Sequence, residues 1–176
     1  MGGQTYVVPT YRYAGAAFAP VATPTDIIVI KGSATKLLIV KRVKLTGAAT
    51  AAGTMPAVLI RRSDAGTLGS AVLTAISPAK LDSSDSAATG TVSTVGTANY
   101  TTLGTTAGNV GSGRIQMTAL GTGVAAVPIE WDFAVRDSKG LYLRGVLESL
   151  CVNLAGAAVP SGGVIDYEIE IEEVAP

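Results

Sequence analysis

The sequence predicts an all-β protein: an antiparallel β-sandwich of the jelly-roll kind with an extended N-terminal arm. Three observations carry that prediction. Short runs rich in Val, Ile, Leu and Thr recur along the chain, separated by Gly-, Ser- and Asp-containing turns. No window sustains an apolar period of 3.6 residues, so no amphipathic helix is indicated. From Val164 to Val174, Ile165, Tyr167, Ile169 and Ile171 alternate with Asp166, Glu168, Glu170 and Glu172. That is a strand with one face in the core and the other in water. The Cys…Trp…Cys spacing of immunoglobulin domains is missing, which favours the jelly roll. A chain of 176 residues fits one domain.

The elements follow in order. Residues 1–24 carry Pro9, Pro20 and Pro24, with Tyr6, Tyr11, Tyr13 and Phe18 between them. Proline disfavours a helix, so this segment reads as an arm, with residues 25–176 forming the sandwich. Asp26 to Lys31 is a short strand, and Gly32 to Thr35 is a turn. Lys36 to Thr46 is a strand with a break in its parity. Leu38 and Val40 share one parity, Val43 and Leu45 the other. All four reach one face only if a residue is inserted near Lys41 and Arg42, which predicts a β-bulge or a bend there. The alternative is a strand buried on both faces at different points. Met55 to Arg62 is a further strand, with Pro56 near its start.

Residues 63–113 are rich in Ala, Gly, Ser and Thr, with β-prone pieces at Ala71 to Leu73, Thr91 to Val95 and Tyr100 to Leu103. They form either one long decorated loop or a pair of weak edge strands. Strands resume at Arg114 to Leu120, Val127 to Val135, Leu141 to Arg144 and Leu147 to Leu154, with a turn at Asp137 to Gly140.

Composition narrows function. The chain has no histidine and one cysteine. Imidazole chemistry, a Ser-His-Asp triad and a Cys-His pair are therefore excluded. No catalytic residue, metal ligand or cofactor is indicated, and an enzyme is the least favoured reading. Charges balance at 13 against 13, which argues against nucleic acid as a partner. No apolar run reaches the roughly 18 residues of a membrane span, and no signal peptide is visible at the start. Assembly in a cytoplasm, without a membrane partner, is the expectation. Cys151, within Leu150 to Leu154, is read as a small buried hydrophobe.

The charges are unevenly placed. Lys31, Lys36, Lys41, Arg42, Lys44, Arg61 and Arg62 crowd the first third, and Asp166, Glu168, Glu170, Glu172 and Glu173 the last eleven residues. They are either two solvated faces or complementary patches that meet between subunits.

Three local patterns are weaker than they look. Asp82 to Ser86 offers two carboxylates and three hydroxyls, too few for calcium, and reads as an Asx or Ser turn. Gly108 to Gly113 lacks the Gly-Lys-Ser/Thr ending of a phosphate loop and reads as a flexible strand connection. Glu130 and Asp132 flank Trp131; alternation sends Trp131 to the core and the carboxylates outward, towards Arg136 and Arg144, rather than into a glycosidase site.

The stretch from Thr25 to Gly47 resembles a recurring segment of tailed-bacteriophage virion proteins. So do Ile129-Glu-Trp-Asp-Phe133, Leu141-Tyr-Leu-Arg-Gly145, and Leu150 to Leu154 leading to Pro160-Ser-Gly-Gly163. The similarity runs from about Asp26 to Glu173. It implies a β-sandwich structural protein of the virion, and within that class a head decoration, or cement, protein of the jelly-roll, homotrimeric kind. Its partners would be the major capsid protein or other virion proteins, its place the capsid surface. A tail, baseplate or fibre-associated trimer is the alternative. A receptor- or glycan-binding module is a third, marked by surface-exposed Tyr100 or Tyr142. On the cement reading the arm reaches a neighbour through Tyr6, Pro9, Tyr11, Arg12, Tyr13 and Phe18. Lys41, Arg42 and Lys44 then face Glu168, Glu170 and Glu172 across subunits. Deleting Met1 to Pro20 is expected to weaken binding and leave the sandwich folded.

Overall fold

A computed structural model describes residues 8–135 and 140–176. The expected turn at 137–140 and the side chains of Tyr6 and Arg136 lie outside the described residues, Gly140 excepted.

Among the described residues, twelve strands form one curled, mixed sheet, a half-barrel of the β-sandwich, jelly-roll-like kind. They are β1 (Thr10–Phe18), β2 (Asp26–Lys31), β3 (Leu37–Ala49), β4 (Gly53–Arg62), β5 (Leu73–Ala75) and β6 (Ala79–Lys80). Then come β7 (Thr91–Val95), β8 (Thr106–Ala119), β9 (Ile129–Asp132), β10 (Leu141–Leu143), β11 (Ser149–Asn153) and β12 (Val164–Val174). The hydrogen-bonded order is β5-β7-β2-β11-β4-β8-β3-β12-β1-β6, with β9 and β10 also on β3. Every pairing is antiparallel except β3 with β8, which run parallel where Gly47–Ala49 meet Met117–Ala119. The two ends of this path, β5 and β6, are only Ile76, Ser77 and Pro78 apart in sequence.

One core lies inside the curl. It gathers Tyr11 and Tyr13 of β1, Ile28 and Ile30 of β2, and Leu38, Val40, Val43 and Leu45 of β3. Leu59, Ile115, Leu150, Ile169 and Ile171 complete its centre. A second, smaller cluster of Val29, Ala71, Val95 and Cys151 lies on the outer face of β2, β7 and β11. Those strands are thus buried on both faces, which explains their near-continuous apolar sequences.

The parity break in β3 has the predicted cause. Glu170 of β12 sits opposite Arg42, but the next residue, Ile171, sits opposite Val40. Lys41 is the inserted residue, and the bulge lets Leu38, Val40, Val43 and Leu45 all reach the core with no exposed surface.

The N-terminal segment departs from expectation. Residues 10–18 are extended, and they pair with β12 from Thr10↔Glu172 to Phe18↔Ile165. Tyr11 and Tyr13 are 0% and 1% exposed. Their hydroxyls donate to the carbonyls of Ser86 (3.0 Å) and Gly90 (3.1 Å). Residues 10–18 therefore belong to the sandwich rather than to an arm reaching a neighbour. Aromatics are scarce here, so the core takes them from wherever the sequence offers them.

Residues 63–113 are neither one loop nor two weak edges. β5 and β6 are short and exposed, but Val92–Val95 of β7 are buried. Tyr100 to Leu103 forms no strand, only an isolated bridge between Thr67 and Thr102. Gly108 to Gly113 is part of β8 and pairs with Arg61 through Ala57 of β4.

Candidate interaction surfaces

Arg12, Lys41, Arg42, Glu168, Glu170 and Glu172, all singled out from sequence, converge on the outer face of β1, β12 and β3. Strand alternation and the Lys41 bulge turn them outward together. Arg12 Nη2 donates to Glu170 Oε2 at 3.0 Å, and its Nε lies 3.7 Å from Glu168 Oε1. Arg42 pairs with Glu168 and stands 3.6 Å from Glu170 Oε2. Lys41 Nζ lies 3.2 Å from Glu172 Oε1. Lys44 sits in register between Glu168 of β12 and Glu130 of β9. Lys41 and Arg42 thus meet Glu168, Glu170 and Glu172 within one chain, whereas Arg61 and Arg62 pair with Glu148 and Asp26. Half-exposed pairs of this kind each contribute little to stability, but they cancel each other's charge across this face.

Other predicted contact residues are also engaged internally. Pro9 gives its carbonyl to the Glu173 N–H at 3.0 Å. Phe18 meets Tyr167 edge to face, with centroids 6.4 Å apart. Tyr11 and Tyr13 are core residues, closed to any partner.

The weaker patterns resolve in local terms. Asp82 Oδ1 accepts from the Ser84 N–H (2.8 Å) and Oγ (2.7 Å), an Asx turn that holds this exposed carboxyl below its usual range. Trp131 lies over Gly111, where a Cβ would stand 2.6 Å from its Cδ1, while Glu130 and Asp132 are exposed. Arg144 donates its backbone N–H to Glu148 (2.8 Å), and among the described residues no ion pair joins it to Glu130 or Asp132. Cys151 is 1% exposed, and burial pushes its thiol up to about 12. Tyr100 is half-buried against the outer cluster, and burial pushes its phenol up to about 12. Among the described residues, no group of three or more His, Cys, Asp or Glu side chains could hold a metal ion.

Two buried charged sites escaped the sequence reading. Asp26 and Arg62 form a two-point pair, and Arg62 Nη1 also donates to the carbonyl of Gly104 (2.7 Å) and to Thr106 Oγ1 (3.1 Å). Asn153 Nδ2 donates to Asp26 Oδ1 at 2.6 Å. Glu173, 2% exposed, accepts from the N–H groups of Thr89 and Gly90, each at 2.7 Å, and from Thr89 Oγ1 at 2.9 Å. Both sites satisfy their buried polar groups, and both tie a loop to the sheet.

Away from the paired charges of β1, β3 and β12, the molecule exposes aliphatic side chains at its ends. Leu120 follows β8, and its N–H donates to the Ala49 carbonyl at the end of β3. Leu120, Val124 and Val127 are 61%, 66% and 58% exposed. A groove of about 390 Å³ beside them is lined by Ala52, Met117, Ala119 and Val124. Val146 and Leu147, 54% and 59% exposed, follow β10, which pairs with the opposite end of β3. A second, larger cleft opens between β8 and β10, lined by Arg61, Val110, Phe133, Leu141, Tyr142 and Arg144.

No protein-family model, curated protein or solved structure matches this chain.

Proposed function

We propose that this protein is a non-enzymatic virion structural protein, a decoration or cement protein that binds between capsomers of a tailed-bacteriophage head as a homotrimer. The observation that supports a structural, partner-bound role is the pair of aliphatic rims, Leu120-Val124-Val127 at one end of β3 and Val146-Leu147 at the other. Clustered exposed aliphatics mark surfaces that bury against partners. The facing charges of β1, β3 and β12 are already spent on one another. The contact role falls to these end loops rather than to β1, whose Tyr11 and Tyr13 are in the core. The partner class follows from the sequence resemblance: the major capsid protein. A protein that binds only the assembled shell stabilises it by mass action.

The test is copy number per virion, by quantitative mass spectrometry of purified particles, with the solution mass of the isolated protein. Hundreds of copies and a free trimer support the cement reading. A few to a few tens of copies move the protein to the tail or baseplate. Absence from particles overturns the virion reading.

A further inference from the structure

We propose that the open flank of β8, with the cleft beside it, takes up an extended acidic segment of another protein, which adds to β8 as a strand. This goes beyond the virion reading and does not depend on it.

The backbone pairing carries the proposal. On one side β8 pairs with β4 from Thr106 to Met117. On the other it meets β3 only at Met117–Ala119. Thr106 to Gln116 therefore leave their second flank unpaired among the described residues, and most of them are exposed. The end strands of the sheet, β5 and β6, are three and two residues long. Natural sheets blunt edges by keeping them that short. The eleven-residue flank of β8 is longer than the open stretches of β1 (13–18) and β4 (53–57). It stays open because β9 and β10 occupy the side of β3 that would otherwise continue along β8. Side chains bridge part of the gap, with Ile129 and Trp131 standing over Gly113 and Gly111.

Next to this flank the gap widens into a cleft of about 610 Å³. That is within the range of specific ligand sites. Its apolar lining, Val110, Phe133 and Leu141, offers seats for alternate side chains of an extended peptide. Its charge selects the partner. Arg61 and Arg144 line it. Glu148 beside them accepts from Arg61 Nη2 and from the Arg144 backbone, both at 2.8 Å. The exposed Arg144 guanidinium makes no ion pair among the described residues, so the described lining, with two arginines and no carboxylate of its own, is net positive. Two bulges, where the register with β4 slips at Val110 and Ala107, twist the flank. Bulges of this kind discourage indiscriminate strand pairing. Pairing here thus needs a segment whose charge as well as backbone fits.

The probe is a capped octapeptide alternating glutamate and valine, titrated into the ¹⁵N-labelled full chain, against its lysine–valine counterpart. The expected result is amide shifts confined to 106–116 and 141–144, with slowed hydrogen exchange along β8. Arg61→Gln combined with Arg144→Glu weakens binding at least tenfold while the remaining spectrum is unchanged. Arg144→Glu alone, at an exposed position, gives a partial loss and guards against misfolding of the double variant. Equal binding of the lysine peptide, shifts centred elsewhere, or no binding at millimolar peptide overturns the proposal.

Discussion

Arg62 grips Asp26 at two points, Nε to Oδ2 at 2.7 Å and Nη2 to Oδ1 at 2.9 Å, with the two side chains 4% and 2% exposed. The pair joins β2 to β4, and its further bonds reach Asn153 on β11 and the 104–106 segment. Removing one partner strands a buried charge, so Arg62→Ala or Asp26→Ala is expected to cost about 3–5 kcal/mol. Replacing both, Asp26→Leu with Arg62→Met, is expected to cost much less than the sum. Urea denaturation of the three variants checks this; additive losses would deny the coupling.

Deleting residues 1–18 removes β1, and with it two buried tyrosines and one wall of the core. That loss exceeds what a domain of about 5–15 kcal/mol total stability tolerates. The truncated chain is expected to lose cooperative unfolding, in contrast to the folded sandwich anticipated from sequence. Tyr13→Ala alone costs about 3–5 kcal/mol, and Tyr13→Phe, which loses only the hydrogen bond to Gly90, about 1 kcal/mol. Circular dichroism melts distinguish these outcomes.

Glu173 holds the 89–90 turn through both carboxylate oxygens. Glu173→Ala leaves the buried Gly90 N–H and the part-buried Thr89 N–H unpaired and is expected to cost about 1–3 kcal/mol. Glu173→Gln keeps an oxygen for those N–H groups and an amide for Thr89 Oγ1, and costs about 1 kcal/mol. Hydrogen exchange at Gly90 reports the change directly, rising most in the alanine variant.

High pH destabilises the fold in a predictable direction. Burial pushes Cys151 and Tyr100 up to about 12 and raises Tyr13 and Tyr167. In the unfolded chain these groups ionise at about 8.5–10. Above that range the unfolded state releases protons that the folded state retains, so stability falls as pH rises towards 12. Cys151 alone contributes roughly 1 kcal/mol per pH unit in that window. Urea midpoints at pH 7, 9 and 10.5 are expected to decline in that order. At pH 8 a thiol reagent should modify Cys151 only after unfolding.

Gly111 is required by Trp131, the one tryptophan of the chain. Gly111→Val pushes the indole off β8 and is expected to shift its emission to longer wavelength and cost about 1–3 kcal/mol. Gly108→Ala, where a Cβ meets nothing within 4 Å, serves as the silent control.

Legibility in the sequence followed side-chain periodicity. The Lys41 bulge could be read from four aliphatic parities, and β12 from its strict alternation. Most of β8 escaped because glycine carries no side chain to mark a face. Its identity as a strand depends on what packs over it, which is remote in sequence. β1 escaped because its prolines and tyrosines read as an arm, and only β12 shows that Tyr11 and Tyr13 share a buried face. Asp26 and Arg62 escaped because a charge inside an apolar strand looks like a boundary until its counter-charge is placed. Glu173 carried an unused clue: it shares the parity of Ile165, Ile169 and Ile171.

The position of β12 also governs the timetable of biosynthesis. Residues 164–174 fill the slot between β1 and β3, both of which leave the ribosome long before them. Until that strand arrives, two nascent flanks rich in unmet N–H and C=O groups stand open on either side of an empty slot. During translation those flanks are templates for pairing with neighbouring nascent chains. Completion of the sheet therefore waits for residues 164–174. The yield of soluble protein should depend on how quickly β12 inserts more than on how firmly it is held afterwards.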